Sequence, residues 1–208
     1  MINRLPKILP IFPLENILFL PNVNLPLYIF EDRYLNMVND AIKTNKLIGM
    51  VQIINSNNVF KEVFKIGCAG KIVYYEKTPD KKILLILNGV SRFKIKKELS
   101  IKNGYRRIIP NWEIFLSDHK KDNVSKLDKE ILLQSIENNI KTLNINFFKK
   151  QLTKISANEI IQIVSRELAF SNIENQSLIE IQNCSKRINF LIKLIKNLLI
   201  SNESQSLH

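Results

Sequence analysis

Residues 19–34, FLPNVNLPLYIFEDRY, form an apolar run that Pro21 and Pro26 break and that Glu31, Asp32 and Arg33 end. Proline has no backbone N–H and holds φ at about −65°, so neither a continuous helix nor a central strand can pass through both positions. The stretch is thereby restricted to strand, turn, strand and helix. Pro21 ends one extended segment at a turn, Pro26 opens the next where a missing N–H costs least, and Phe30 hands the chain to a helix. Asn22 suits the turn because asparagine tolerates positive φ better than most residues. Glu31 and Asp32 fall in the first helical turn, where the macrodipole favours negative charge, so this carboxylate pair needs no catalytic explanation.

The chain around it reads as many short strands. Apolar, β-prone segments occur at 8–12, 17–19 and 25–30, and a helix follows from Glu31 to about Thr44, with Leu35, Val38 and Ile42 at helical spacing. Further strands are predicted at 47–54, 66–76, 82–88, 90–97 and 104–115, the last around Trp112. KTPDKK carries a Pro-Asp turn signal, and Asn88-Gly89 marks a tight turn. Short strands with close turns imply a curled antiparallel sheet or barrel.

Composition shifts at SDHKKDNVSK, residues 117–126, which is polar and has no apolar periodicity. We therefore expect a β part over 1–117, a linker over 118–126 and a helical part over 127–203. In the helical part Leu133, Ile136, Ile140 and Leu143 share a face, and Phe147 and Phe148 open a short second segment. A third helix runs from Ser156, with Glu159 at the capping-box position, to about Phe170. Residues 173–200 are expected as two helical pieces jointed near Asn183. The predicted fold class is α+β: a curled antiparallel sheet with one inserted helix, followed by a helical bundle.

Several function classes find no support. The N-terminal apolar stretch is cut by Pro10, Pro13 and Glu15, which argues against a secretory signal. The most apolar helical stretch, Ile188 to Ile200, is interrupted by Lys193 and Lys196 and is shorter than the about 20 residues a bilayer requires. Cys68 and Cys184 are far apart and unaccompanied by a CxxC pair, which fits a reducing cytoplasm and two small buried hydrophobes. His119 lies in the expected linker and His208 is the last residue, so no catalytic, metal or cofactor set can be named. GCAGK, Gly67 to Lys71, lacks the spacing and the Ser or Thr of a Walker loop and reads as a glycine pair that lets a strand bulge.

The formal net charge of +12 raises the question of a phosphate-bearing partner. At strand spacing Arg92, Lys94 and Lys96 share a face, Phe93 and Ile95 take the other, and Arg106 and Arg107 return on the following strand beside Tyr105, a candidate stacking residue. These six residues are the candidate RNA-binding set. The bland alternative is a solvated sheet face in a chain that favours Lys, Asn and Ile throughout.

The opening stretch also resembles the signature P-G-x-x-L-P-L-x-I-F-E-x-R-Y of the N-terminal, substrate-recognising domain of the ATP-dependent Lon protease, here Pro21, Asn22, Leu25, Pro26, Leu27, Ile29, Phe30, Glu31, Arg33 and Tyr34. The similarity continues through LPIFPLENILFLP, KLIGMV and the segment 66–95, and into LAFSNIENQSLIEIQNCSKR. Asn22 stands for the usual glycine, Ala169 for the proline of L-P-F and Asn175 for the lysine of E-K-Q. With no complete Walker motif and no Ser-Lys peptidase segment, the chain resembles the short stand-alone proteins that carry only this domain.

The resemblance implies a curled β-domain of the pseudouridine-synthase-associated (PUA-like) type followed by helices. It implies no ATPase or peptidase activity of the Lon kind, and capture of unfolded or tagged polypeptides, with an adaptor role in protein quality control as one form of it. Candidate peptide-binding side chains are Leu20, Val23, Leu25, Tyr28, Phe60 and Tyr75. PUA-like folds elsewhere bind RNA, which keeps the basic set as the alternative. A small-molecule enzyme ranks last, since it would need a pocket with convergent polar groups.

Overall fold

The computed structural model describes residues 5–55, 62–119, 126–139 and 152–205. Its strands are β1 (Leu9–Leu14), β2 (Asn24–Ile29), β3 (Leu47–Asn55), β4 (Glu62–Val63), β5 (Ile66–Lys77), β6 (Ile83–Lys102) and β7 (Tyr105–Asn111). We number the helices α1 (Asp32–Ile42), α2 (Lys126–Asn139), α3 (Ala157–Glu167), α4 (Asn172–Glu180) and α5 (Cys184–Gln205), and a 3-10 segment spans Glu113–His119. The α+β class with an antiparallel sheet and an inserted helix is as expected.

The sheet closes. β1 pairs antiparallel with β7 and parallel with β3, so the path β1–β7–β6–β5–β3 returns to its start as a barrel. β2 adds to β6 outside this ring and β4 adds to β3. Phe93, Leu9, Ile11, Val51, Ile108 and Trp112 fill one part of the interior, with the Phe93 and Trp112 rings edge to face at 5.7 Å. A second cluster lies under α1, where Tyr34, Met37, Val38 and Ala41 turn inward onto Phe12, Phe19, Ile29 and Leu85.

Three sequence expectations change. β6 is one strand of 20 residues, not two, and Asn88-Gly89 is no turn. Gly89 instead answers a close approach: a Cβ there would lie 2.1 Å from the Leu20 carbonyl oxygen. The Asn22 N–H donates to the Gly89 oxygen at 2.8 Å and the Gly89 N–H to the Val23 oxygen at 2.9 Å. The β6–β7 turn falls at the other Asn-Gly pair, Asn103-Gly104, where Gly104 has φ 85°. Residues 17–19 form no strand, although Leu18, Phe19 and Leu20 are buried by packing alone. The last strand ends at Asn111, after which the 3-10 segment begins.

Asn22 does adopt positive φ, at 63°, and the register slips between Ala69 and Gly70 as a bulge requires. Ser156 and Glu159 form the predicted capping box on α3, and Ser171 with Glu174 repeats it on α4. Asn183 sits between α4 and α5, its side-chain oxygen accepting the Lys186 N–H at 3.0 Å. Ile140, Leu143, Phe147 and Phe148 lie outside the described residues.

The joint between sheet and helices rests on Arg92. β2 and β7 occupy the same edge of β6, at residues 83–88 and 94–102, and leave the edge between them open. Asp118 fills that opening: its carboxylate accepts the Arg92 backbone N–H at 2.8 Å and pairs with the guanidinium Nη2 at 2.6 Å and Nε at 3.0 Å. The remaining guanidinium N–H groups donate to the carbonyls of Ile179, Ile181 and Gln182 at the end of α4. The Arg92 and Asp118 side chains are 1% and 5% exposed.

Removing one partner from a buried pair strands the other charge. Asp118→Asn should destabilise the fold by about 3–5 kcal/mol, read from the urea midpoint at constant slope. The double variant Arg92→Met, Asp118→Leu should be less destabilised than the single. A single variant within about 1 kcal/mol of wild type would contradict this account.

Candidate polypeptide-binding surface

The β2–β6–β5 part of the sheet has one face on the core under α1 and the other in solvent. Its outer face is defined by register. Asn24 lies opposite Asn88, and Asn88 opposite Lys71; Pro26 opposite Ile86, and Ile86 opposite Tyr74; Tyr28 opposite Leu84, and Leu84 opposite Glu76. Cross-strand partners share a face, so these rows form a strip with an apolar middle. Tyr28 is 46% exposed, Leu84 42%, Tyr74 47% and Phe30, just beyond β2, 60%. The Tyr28 and Phe30 rings are tilted, with centroids 6.4 Å apart.

Polar contacts hold the strip in place. The Tyr28 hydroxyl donates to Asp80 at 3.3 Å, the Lys82 ammonium lies 5.6 Å from the Tyr28 ring centre, and Lys82 pairs with Asp80 at 2.8 Å. The bond to Lys82 first, then the Thr78 hydroxyl, pulls the Asp80 carboxyl down to about 2. The Tyr74 hydroxyl donates to Glu76, which pushes the Tyr74 phenol up.

Two clefts adjoin β2. One of about 410 Å³ is lined by Phe12, Leu14, Leu27, Tyr28, Phe30 and Ile53 among others and so opens beside the strip. The other, about 420 Å³, lies between the start of β2 and α3, with Leu25, Pro26, Gln162, Arg166, Ala169 and Phe170 in its walls. Ala169 and Asn175, the two departures noted in the helical part, both reach this second cleft.

The sequence-derived sites are redistributed. Of the peptide-binding candidates, Tyr28 and Tyr75 are at the surface and Leu25 is half-buried. Leu20 and Val23 are core, packed with Ile161, Leu178 and Leu191, because the Pro21-Asn22 turn plugs into the helices. Phe60 lies outside the described residues. Phe30, Tyr74, Leu84 and Ile86 were not foreseen. KILLILN is apolar at nearly every position, so its alternation gives no sign of which side chains face water.

The basic set separates as well. Lys94 and Lys96 are exposed. Arg92, expected on their face, is buried because α4 and the 3-10 segment cover the middle of β6. Tyr105 is 4% exposed, and its hydroxyl donates to Asp40 at 2.8 Å, so it offers no stacking face. Arg106 forks onto Glu98 at 2.6 and 2.8 Å, and Arg107 donates to the Ser100 carbonyl at 3.1 Å. Cys68 is buried and its thiol is pushed up by desolvation, while Cys184 is half-buried against the helical core. Among the described residues no three His, Cys, Asp or Glu side chains gather as metal ligands, and no helix is long and apolar enough to cross a membrane.

A closed small barrel thus carries a helical cover locked to it and an exposed apolar strip. The family description "ATP-dependent protease La (LON) substrate-binding domain" matches residues 8–197, and the chain belongs to that family. It is 30% identical over 203 residues to a Lon protease of Flavobacterium johnsoniae, covering 96% of this chain and 23% of the relative. It is 27% identical over 203 residues to a Lon protease of Cytophaga hutchinsonii, covering 93% and 24%. The chain thus spans about a quarter of the length of the curated relatives it matches. In fold it is similar to a Lon N-terminal domain protein from Xanthomonas campestris, with TM-score 0.65, 22% identity and coverage of 90% and 98% of the two chains. The N-terminal domain of a Mycobacterium avium complex Lon protease gives TM-score 0.64 at 12% identity, with 91% and 98% covered.

The Tyr105 site carries a pH signature. Burial first, then the bond to Asp40, raises this phenol from 10.0 to about 12. The folded state therefore holds the proton more tightly than the unfolded chain, and its contribution is full below about pH 10 and lost as pH rises toward 12. Denaturant midpoints followed through this window should fall with pH in the wild type and fall less in Tyr105→Phe. Parallel slopes would sink the assignment.

Proposed function

We propose that this chain is a non-catalytic polypeptide-binding module of the Lon substrate-recognition type, an adaptor in protein quality control that holds unfolded segments on the outer face of β2, β6 and β5. The observation that carries the reading is the strip itself: Tyr28, Phe30, Tyr74 and Leu84 are each more than two-fifths exposed on one contiguous part of the molecule. Exposed apolar groups that cluster, unlike scattered ones, mark interaction sites. The cleft beside Tyr28 and Phe30 gives a bulky side chain of the bound segment a place to be buried. The family's description, a substrate-binding domain, supports the same reading.

The alternative, an RNA-binding module, keeps Lys94 and Lys96 as exposed cations and loses Arg92 and Tyr105 to the interior. Salt separates the two. Capture of a denatured, labelled protein should persist at high salt, whereas a phosphate-driven complex weakens steeply.

The variant Tyr28→Ser, Phe30→Ser, Leu84→Thr keeps β-compatible residues and touches no core position. It should bind a reduced, denatured protein about tenfold or more weakly by fluorescence anisotropy, with an unchanged circular dichroism spectrum. Unaltered affinity would overturn the strip as the binding face. Salt-sensitive RNA binding without capture of denatured protein would favour the alternative.

A further inference from the structure

The cleft at the Phe30 end of the strip has charge in its walls as well as apolar surface. Beside the apolar residues already named, Glu15, Glu31, Arg33 and Tyr34 line it. Arg33 is committed: its guanidinium lies 4.7 Å from the Tyr34 ring centre and pairs with Glu31 at 2.5 Å. The same arrangement recurs at Tyr28, where the Lys82 ammonium lies 5.6 Å from the ring centre and 2.8 Å from Asp80. Each ring faces a cation that a carboxylate also holds.

Phe30 and Glu15 supply the ring and the carboxylate a third time, without the cation. Among the described residues no cation lies over the exposed Phe30 ring, and the exposed Glu15 carboxylate makes no hydrogen bond or ion pair. Nearby carboxylates add to its sign: Asp32 is exposed in the first turn of α1, and Glu76 shares the outer row with Leu84. Of the nearby cations, Lys82 is held by Asp80, Lys77 stands in the row of buried Ile83 on the opposite face, and Lys81 is exposed in the β5–β6 turn. This end of the strip is therefore negative on balance, within a chain of net charge +12.

We infer that this cleft is a subsite for one basic side chain, lysine or arginine, of the polypeptide bound on the strip, with the aliphatic stem on the apolar walls and the charged head at Glu15. The inference rests on the polypeptide-binding reading above and names what one position of the bound segment must be. Lysine and arginine suit such a place because their stems bury on apolar surface while their heads stay at a polar rim. A purely apolar side chain that closed the cleft would desolvate Glu15 without pairing it, and an acidic one would meet like charge. The strip supplies the affinity common to all apolar segments, and the subsite chooses among them.

Two sets of synthetic peptides test this, built on one Leu- and Phe-containing sequence. One set moves a single lysine through successive positions, and the other places norleucine, which has the stem without the ammonium, at the same positions. At low ionic strength the best lysine peptide should bind about fivefold more tightly than its norleucine counterpart, and the gap should narrow toward about 1 M salt. In Glu15→Gln the gap should shrink to about twofold or less while norleucine peptides bind as before. Glu113→Gln, which removes the same charge from the exposed start of the 3-10 segment, should leave the gap intact. If norleucine matches lysine at every position, or the gap survives Glu15→Gln, or Glu113→Gln reduces it equally, the inference fails and the polypeptide-binding reading stands. If no peptide of either set binds, the polypeptide-binding reading itself fails.

Discussion

The fold depends on one guanidinium being fully satisfied where water does not reach. Arg92 has five side-chain N–H groups, and the Asp118 carboxylate with the carbonyls of Ile179, Ile181 and Gln182 supplies an acceptor for each. A buried ion pair is weak evidence of stability on its own, since desolvation can exceed the Coulombic gain. Here the geometry fixes relative position. Asp118 closes a gap in the sheet edge while the carbonyls anchor the C-terminal end of α4, where a cation is favoured by the helix dipole. Phe115 lies under the guanidinium at 4.4 Å and leaves little freedom to the pair.

The same end of α4 is held from its other side. Arg187 on α5 donates to the carbonyls of Leu178 and Ile181 and to the Asn158 side-chain oxygen. Asn158 in turn donates to the Pro21 carbonyl at 3.1 Å. Pro21 thus stands at the joint of the molecule. The turn at Pro21-Asn22 is fastened to Gly89 on the sheet and to Asn158 on the helices, and Leu20 and Val23 on either side of it are core to the helical part.

Local chemistry made the strands, α1, the capped helices and the Asn22 turn readable, because proline, capping boxes and apolar periodicity act within a few residues. What could not be read is what depends on distant partners. Asp118 lies in a polar stretch that looks like a linker, and its role appears only when β6 comes alongside. Arg92 has the strand parity of Lys94 and Lys96, yet a covering helix reverses its environment while leaving theirs unchanged. Asn88-Gly89 and Asn103-Gly104 carry the same turn signal, and only the approach of Leu20 decides that the first stays within a strand. The apolar strip was hidden for the opposite reason: β6 is apolar on both faces, so its outward residues do not announce themselves.

Exposing such a strip on a sheet with an open edge carries a hazard, since unpaired strand edges invite other strands. β2 is that edge, pairing only with β6 among the described strands. The Gly89 N–H bond to Val23 sets an alternation that turns Leu25 and Leu27 toward β6 and Pro26 toward the open side. Pro26 therefore removes a donor where an incoming strand would seek one, and it adds ring surface to the strip. A backbone-directed partner would recruit any extended chain, including further copies of this one. A side-chain-directed surface with a blunted edge can remain apolar and still choose. The proline that first looked like an obstacle to regular structure is thus the residue that lets an apolar face stay exposed beside an open strand edge.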